Sequence, residues 1–255
     1  MRPNRMKQMW RDKRCVTMGW LSVSHGFTAE VMARQGFDAL CVDMQHGTTD
    51  MSDVWPMLQA ISQTDTVPVV RVPWNDPATI MKALDLGAYG VIVPLVNTAE
   101  DAAKAVAACR YPPVGMRSSG PVRAVHYGGP DYLAKANDEI VVMVMIETKE
   151  GIANLDAICA TPGLDAVYIG PADLSFALGL PPGPDKTDPV HLATCDRIRD
   201  AAHKAGIKAC MHCASAAFAA GAVKRGFDLV MLTSDLASMI AGARRQLEEL
   251  RAATA

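Results

Sequence analysis

The chain has 255 residues, is 50% hydrophobic and carries a formal net charge of −2. A chain of this length and apolar content can bury one core of barrel size, so a single domain over residues 1–255 is expected. The charge balance provides neither a basic footprint for nucleic acid nor an acidic, self-repelling tail, and no apolar run approaches the roughly 18 residues of a membrane span.

In chain order, residues 1–14 are basic but no long apolar segment follows, so they are not expected to form a secretory signal. Short apolar, β-branched runs then recur: Val16–Leu21, Ala39–Asp43, Val67–Val72, Gly90–Val93, Ile140–Ile146, Ala166–Ile169, Ile207–Met211 and Leu229–Leu232. Almost wholly apolar strands are those buried on both faces of a parallel sheet. Helical patterns alternate with them. Thr28–Gln35 ends at Gly36, a residue suited to a helix C-cap. Ser52–Gln63 starts with Ser52 as its expected N-cap. Pro77–Leu86 has Asp76 before it, Pro77 at its first position and Gly87 just beyond its end. Thr98–Cys109 opens with Thr98 and Asp101 at capping-box spacing. Asn154–Ala160, Val190–Ala205, Ala214–Arg225 and Leu236–Arg251 complete the set. The phrases "QGFDALCVD", "LGAYGVIVP", "PGLDAVYIG", "AGIKACMHC" and "RGFDLVMLT" repeat one unit of capping glycine, turn and strand. Eight such units predict an α/β fold, the (β/α)8 TIM barrel. A doubly wound sheet is the alternative, but no Gly-rich phosphate fingerprint supports it. Two irregular stretches, Tyr111–Asp131 and Leu180–Pro189, are long enough to cover the barrel mouth. The seven cysteines sit mostly in apolar settings, as reduced thiols of a cytoplasmic protein do.

A barrel places its chemistry where its strands end. The first strand is followed by Ser22, Ser24 and His25, with Trp20 close to its end; the second ends in Asp43, Gln45 and His46. Arg71 closes the third, Glu147 follows the fifth, Asp173 the sixth, His212 and Cys213 the seventh, and Ser234 and Asp235 the eighth. Adjacent strands lie about 4.8 Å apart, so Glu147 and Asp173 can converge on one hard divalent ion. Equally, Glu147 can pair with Lys149 or Arg71 while Asp173 caps a turn. A guanidinium in an apolar strand needs an anionic or carbonyl partner. For Arg71 that partner is either Asp43 or Glu147 as a salt bridge, or a substrate keto oxygen. His46 is the candidate base at neutral pH, or a semi-exposed histidine at a strand end. Cys210 and Cys213 have zinc-like spacing but no second ligand pair, so they read as strand packing. Gly170 and Pro171 permit a sharp turn whose backbone N–H groups can hold a carboxylate.

The segments "GFDALCVDMQH", "PVVRVPWNDPATIMKALDLGAYGVIVP", "RYPPVGMRSSGP", "DYLAKANDEIVVMVMIETKEGIANLD" and "GLDAVYIGPADLS" follow one another from about Gly19 to the last helix. Over most of its length the chain thereby resembles the HpcH/HpaI aldolase family of class II, metal-dependent enzymes acting on 2-oxo acids. The resemblance implies a phosphoenolpyruvate/pyruvate-type barrel and a divalent metal (Mg²⁺, Mn²⁺ or Co²⁺) held by Glu147 and Asp173. It implies an Arg71 that contacts the keto oxygen, and a His46 in a catalytic dyad with Asp85. It also implies a substrate carboxylate held at the backbone of Gly170 and Ala172. Neither a nucleotide nor a Schiff-base lysine is expected, since Lys82 falls in a helix and Lys149 beyond the metal carboxylate. The reaction implied is reversible cleavage of a 4-hydroxy-2-oxo acid to pyruvate and an aldehyde. A citryl-type or phosphoenolpyruvate-mutase-like lyase is the alternative on the same barrel, and a non-catalytic binding barrel a third.

Two departures stand out. Many members of the family read D-x-E-H where this chain has Asp43-Met44-Gln45-His46, and Met145 stands where relatives often carry glutamine. Asp43 and Gln45 are expected to support the site without ligating metal. Trp20, Ser22, Arg117, Ser118, Arg123, His126 and Met211 are candidates to line the aldehyde end, with Trp20 and Met211 foremost. Asp85 lies near the end of its helix, and a helix of ten residues rises about 15 Å. It should therefore point away from its own mouth and serve the His46 of a neighbouring subunit. The family's trimers and hexamers, with the last helix exchanged between subunits, agree with a homo-oligomer.

Overall fold

The computed structural model describes residues 1–254. In chain order its elements are α1 (Arg5–Arg11), β1 (Val16–Leu21), α2 (Gly26–Ala33), β2 (Ala39–Asp43), α3 (Met51–Ile61), β3 (Val67–Arg71), α4 (Pro77–Asp85), β4 (Gly90–Val93) and α5 (Ala99–Cys109). There follow α6 (Val122–Gly128), α7 (Tyr132–Glu139), β5 (Val141–Met145), α8 (Lys149–Ala153), α9 (Leu155–Cys159), β6 (Ala166–Ile169) and α10 (Pro171–Ala177). The chain ends with α11 (Pro189–Lys204), β7 (Lys208–His212), α12 (Ala216–Lys224), β8 (Leu229–Ser234) and α13 (Asp235–Thr254). The strands close in sequence order, β8 pairing with β1, and every pairing is parallel. This is the (β/α)8 barrel expected from the eight repeated units. Among the described residues no helix is long and apolar enough to cross a membrane.

The register determines which side chains face the barrel axis. Trp20 pairs with Cys41, Asp43 with Arg71, Ile92 with Met143, Met145 with Tyr168, and Tyr168 with Cys210. Paired positions in a parallel ladder share a face, and positions two apart along one strand share it too. Trp20, Asp43, Arg71, Met145, Tyr168 and His212 therefore all lie on one side. That side is the interior, because Trp20 of β1 meets Arg71 of β3, Tyr168 of β6 and His212 of β7, contacts that only the barrel lumen allows.

The opposite end is plugged by α1, which buries Met6, Met9 and Trp10. Asn4 Nδ2 donates to Tyr89 O and Glu139 O, and Trp10 Nε1 to Asp228 O. These carbonyls lie just before β4, β5 and β8 respectively, so the plug sits at the N-terminal ends of the strands. The sequence pattern did not predict α1.

Several expected boundaries shift. The N-cap of α3 is Asp50, not Ser52, and Asp53 Oδ2 accepts from the Asp50 N–H at 2.9 Å. The helix expected over Thr28–Gln35 begins at Gly26, where His25 Nδ1 accepts from Phe27 N. Asp76 caps α4, and Thr98 with Asp101 forms the capping box of α5 as expected. The stretch Tyr111–Asp131 contains α6 and does not cover the mouth. Arg123 on α6 donates to Leu86 O, Leu58 O and Ser62 Oγ, all at the C-terminal ends of α3 and α4. In a barrel those helix ends lie on the plugged side. Leu180–Pro189 does reach the mouth: Gly183 and Pro184 line it, and Asp185 accepts from Ala214 N just beyond β7.

Candidate active site

At the C-terminal ends of the strands lies a cavity of about 450 Å³. Trp20, Ser22, His46, Arg71, Met145, Glu147, Gly170, Ala172 and Asp173 all border it, together with His212 and Thr233. Of the residues expected at the strand ends, Trp20, Ser22, His46, Arg71, Glu147, Asp173, His212, Cys213 and Ser234 are brought to one mouth, while Ser24, His25, Gln45 and Asp235 are not.

Asp43 and Arg71 form its buried base. Arg71 Nε donates to Asp43 Oδ1 at 2.8 Å and Nη2 to Oδ2 at 2.7 Å, a two-point pairing that only a guanidinium makes. Trp20 Nε1 donates to the same carboxylate at 3.1 Å, and Gln45 N at 3.0 Å. Burial alone would raise the Asp43 pKa, but the hydrogen bonds and charge of Arg71 outweigh it and hold the carboxyl below its usual range. Arg71 also lies over the Trp20 ring, 4.7 Å from its centroid. Among the described residues its Nη1 has no hydrogen-bond partner. Of the two readings of Arg71, the salt bridge to Asp43 is present, and it leaves one nitrogen over for a ligand.

Glu147 is 2% exposed. Its Oε1 accepts from Leu95 N at 3.0 Å, while its buried Oε2 has no partner. Burial pushes its carboxyl up to about 7, opposed by the Leu95 N–H and by Arg71, with the nearby charge of Asp173 raising it further. A Cβ at position 170 would overlap Glu147 Oε2, so the turn after β6 must carry glycine for the carboxylate to sit there. Gly170 leads into α10, whose exposed first turn holds Ala172 and Asp173. A buried, unpaired carboxylate oxygen facing a second carboxylate fits a hard cation, whose other positions go to water or substrate oxygens. Among the described residues no cluster of three or more His, Cys, Asp or Glu side chains surrounds a metal position, so a soft-metal cage does not fit.

His46 is exposed, and its backbone N–H lies 3.4 Å from Asp43 Oδ1. Gln45 Oε1 is buried and unpartnered. Asp85 is not near this mouth. It borders a separate cavity of about 900 Å³, with Trp55, Lys82, Arg123 and His126, and receives Arg117 Nη2 at 2.7 Å. Arg117 is itself buried and also donates to Tyr132 Oη at 3.1 Å. Arg117, Arg123 and His126 thus do not line the aldehyde end of their own chain, because the segment that carries them packs beside α4.

Met211 is a correction as well. It is fully buried, faces the helices and does not border the mouth. Strand β7 runs one residue further than expected, to His212. Side chains alternate along a strand, so His212 takes the inward position that had been given to Met211. Tyr168 Oη and His212 Nδ1 are 3.0 Å apart, and the imidazole meets the Trp20 ring edge-on, centroids 4.9 Å apart at 81°. Burial pushes the His212 pKa down to about 4, the Arg71 charge adding and Asp43 opposing. Asp235, another strand-end candidate, is buried away from chemistry and ties the loop after β1 by accepting from Ser22 N and Val23 N.

Residues 16–242 match the model of a family described as HpcH/HpaI aldolase/citrate lyase. A hydroxypyruvate/pyruvate aldolase of Rhizorhabdus wittichii is 41% identical over 249 residues, 98% of this chain and 99% of the relative. A 5-keto-4-deoxy-D-glucarate aldolase of Citrobacter koseri is 41% identical over 179 residues, 69% of this chain and 70% of that one. Among solved structures, an HpcH/HpaI aldolase/citrate lyase family protein of Burkholderia cenocepacia superposes with a TM-score of 0.91 at 35% identity, covering 97% of this chain and 99% of that one.

Proposed function

Because the chain belongs to the HpcH/HpaI aldolase/citrate lyase family and is a carbon–carbon lyase, we propose that its barrel mouth is the active site of a divalent-metal-dependent pyruvate aldolase. The substrate is a 4-hydroxy-2-oxo acid, cleaved reversibly to pyruvate or a related 2-oxo acid and an aldehyde. The observation that carries this reading is the convergence of His46, Arg71, Glu147 and Asp173, from four different strand ends, on one cavity.

Glu147 and Asp173 would hold the metal, Mg²⁺, Mn²⁺ or Co²⁺, which would supply Lewis-acid stabilisation of the charge that develops on the 2-oxo acid. Arg71 offers Nη1 to the keto oxygen and stabilises the negative charge that gathers there. Asp43 keeps the guanidinium in its plane through both remaining edges, and Trp20 flanks it. The backbone of Gly170 and Ala172 receives the carboxylate. His46, directly or through a water, takes the proton from the 4-hydroxyl. The C3–C4 bond then breaks, its electron pair passes toward the keto oxygen at Arg71, and the aldehyde leaves. A proton delivered to C3 completes pyruvate. Asp85 completes the site of a neighbouring subunit by pairing with that neighbour's His46, and the protein acts as a homo-oligomer in the cytoplasm.

A lactate-dehydrogenase-coupled assay of pyruvate release tests the reading. Activity on a panel of 4-hydroxy-2-oxo acids is expected to vanish with chelator and return with added metal. An enzyme loaded with metal that releases no 2-oxo acid from any member of the panel would sink it.

A further inference from the structure

His212 borders the mouth and is left without a task by the mechanism above, and its environment fixes both its orientation and its proton. Tyr168 is fully buried, and its hydroxyl has a single hydrogen-bond partner, His212 Nδ1. A buried phenol proton must find an acceptor, so the O–H donates and Nδ1 accepts. The imidazole is neutral, being buried beside the Arg71 guanidinium. A neutral ring whose Nδ1 accepts carries its proton on Nε2. Among the described residues Nε2 has no hydrogen-bond partner, and the residue borders the mouth. The edge-on contact with Trp20 holds the ring in place. The result is an oriented, uncharged N–H donor with nothing in the protein to receive it.

Pyruvate does not satisfy that donor. In the mechanism above, its carboxylate and keto oxygens are engaged by Arg71, the Gly170–Ala172 turn and the metal that Glu147 and Asp173 would hold. His212 and Arg71 flank the same indole, their groups 4.9 Å and 4.7 Å from the ring of Trp20. Both groups border the mouth, so an oxygen that reaches Nε2 shares the cavity with a keto oxygen held at Arg71. On a short 2-oxo acid that position belongs to a substituent on C3, the carbon next to the keto group.

We propose that His212 is a specificity-determining residue that donates a hydrogen bond from Nε2 to a hydroxyl on C3 of the 2-oxo acid, so that the enzyme favours hydroxypyruvate over pyruvate as its nucleophilic partner. The inference rests on the aldolase reading and deepens it. Tyr168 acts through His212 as a positioning residue.

The metal-loaded full-length protein is assayed for aldol addition to glycolaldehyde with hydroxypyruvate and with pyruvate. In His212→Phe, which keeps a flat ring against Trp20, the kcat/KM ratio of hydroxypyruvate to pyruvate is expected to fall about tenfold or more, the loss of one hydrogen bond to a desolvated group. Tyr168→Phe, which frees the tautomer, should lower the same ratio less. An unchanged ratio in His212→Phe overturns the assignment. ¹⁵N NMR of the imidazole gives a readout apart from turnover. It should find the proton on Nε2 near neutral pH, and a larger shift of that signal with hydroxypyruvate than with pyruvate. A proton on Nδ1, or equal shifts with both acids, overturns the proposal even if the aldolase stands. A wild-type enzyme that forms no aldol product with either acid instead sinks the aldolase reading.

Discussion

Arg71 and Asp43 are each intelligible only through the other. The guanidinium uses Nε and Nη2 on one carboxylate and keeps Nη1 for a ligand. Replacing it by methionine should lower kcat about 10²–10³-fold, the scale of losing one donor to a developing oxyanion. It should also cost about 3–5 kcal/mol of stability, because Asp43 is left buried and unpaired. Asp43→Asn in the same chain should recover part of the denaturation midpoint and none of kcat; an unchanged kcat in Arg71→Met would remove Arg71 from the mechanism. His212 makes a prediction about pH. Its folded-state pKa lies near 4 against an ordinary 6.5. As pH falls from 6.5 toward 4, the unfolded chain binds a proton that the folded chain refuses, so stability present above pH 6.5 is lost progressively across that window. Urea midpoints measured from pH 7 to 4 should fall less steeply in His212→Phe than in the wild type. Parallel curves would show that the imidazole titrates normally. At this scale the sequence was legible wherever a polar residue interrupts an apolar run, as Arg71, Glu147 and His46 do. It misled at Met211, because the strand is shifted by one residue and Met211 falls on the outward side of the alternation, between the inward Cys210 and His212.

The elements that carry the site depend on partners far along the chain. Helix α10 has only seven residues, and its first turn holds Asp173. The Pro171 carbonyl at its start is fixed by Ser175 Oγ at 2.7 Å and by His191 Nε2 at 3.2 Å, the latter reaching from the first turn of α11. His191 is fully buried, so removing its ring leaves a void and a Pro171 carbonyl held from its own helix alone. His191→Ala should weaken metal binding about 10–100-fold, as loss of an outer-shell support does. Titration calorimetry measures this directly, and an unaltered affinity would show that α10 holds its position without α11. The eight strands were legible because buried parallel strands are short, apolar and β-branched. The helices α1, α6, α7, α8 and α10 were not. They have five to eight residues each, too few for a helical period to stand out, and α6 and α10 are entered through Pro- and Gly-rich segments that read as loops. The place of Tyr111–Asp131 was also hidden, since only the contacts of Arg117 and Arg123 reveal that it packs at the plugged end.

At the scale of the molecule, one chain keeps two proposed partners apart. His46 borders the mouth, while Asp85 borders the larger cavity beside α3, α4 and α6. The 20-residue α13 presents Leu236, Met239, Ile240, Leu247 and Leu250 to solvent, and Trp55 and Val122 are exposed beside Asp85. Exposed apolar surface on this scale marks an association face. A second copy that covers it can bring Asp85 to a neighbour's His46, and a closed ring repeats that pairing at every site. The consequence is complementation between two inactive variants. His46→Ala lacks the base and Asp85→Ala lacks its partner, so each alone should fall at least about 10²-fold in kcat, the contribution of a general base. Unfolded together, refolded and mixed in equal amounts, the two should form sites in which an intact His46 from one variant meets an intact Asp85 from the other. Random assembly gives about a quarter of such restored sites, and activity should return in that proportion. If both groups acted within one chain, mixing could restore nothing, since every chain would still carry one defect. Recovered activity therefore distinguishes a shared site from a private one, and its absence in a mixture shown by native mass spectrometry to contain hybrid oligomers would assign Asp85 a structural role with Arg117 alone.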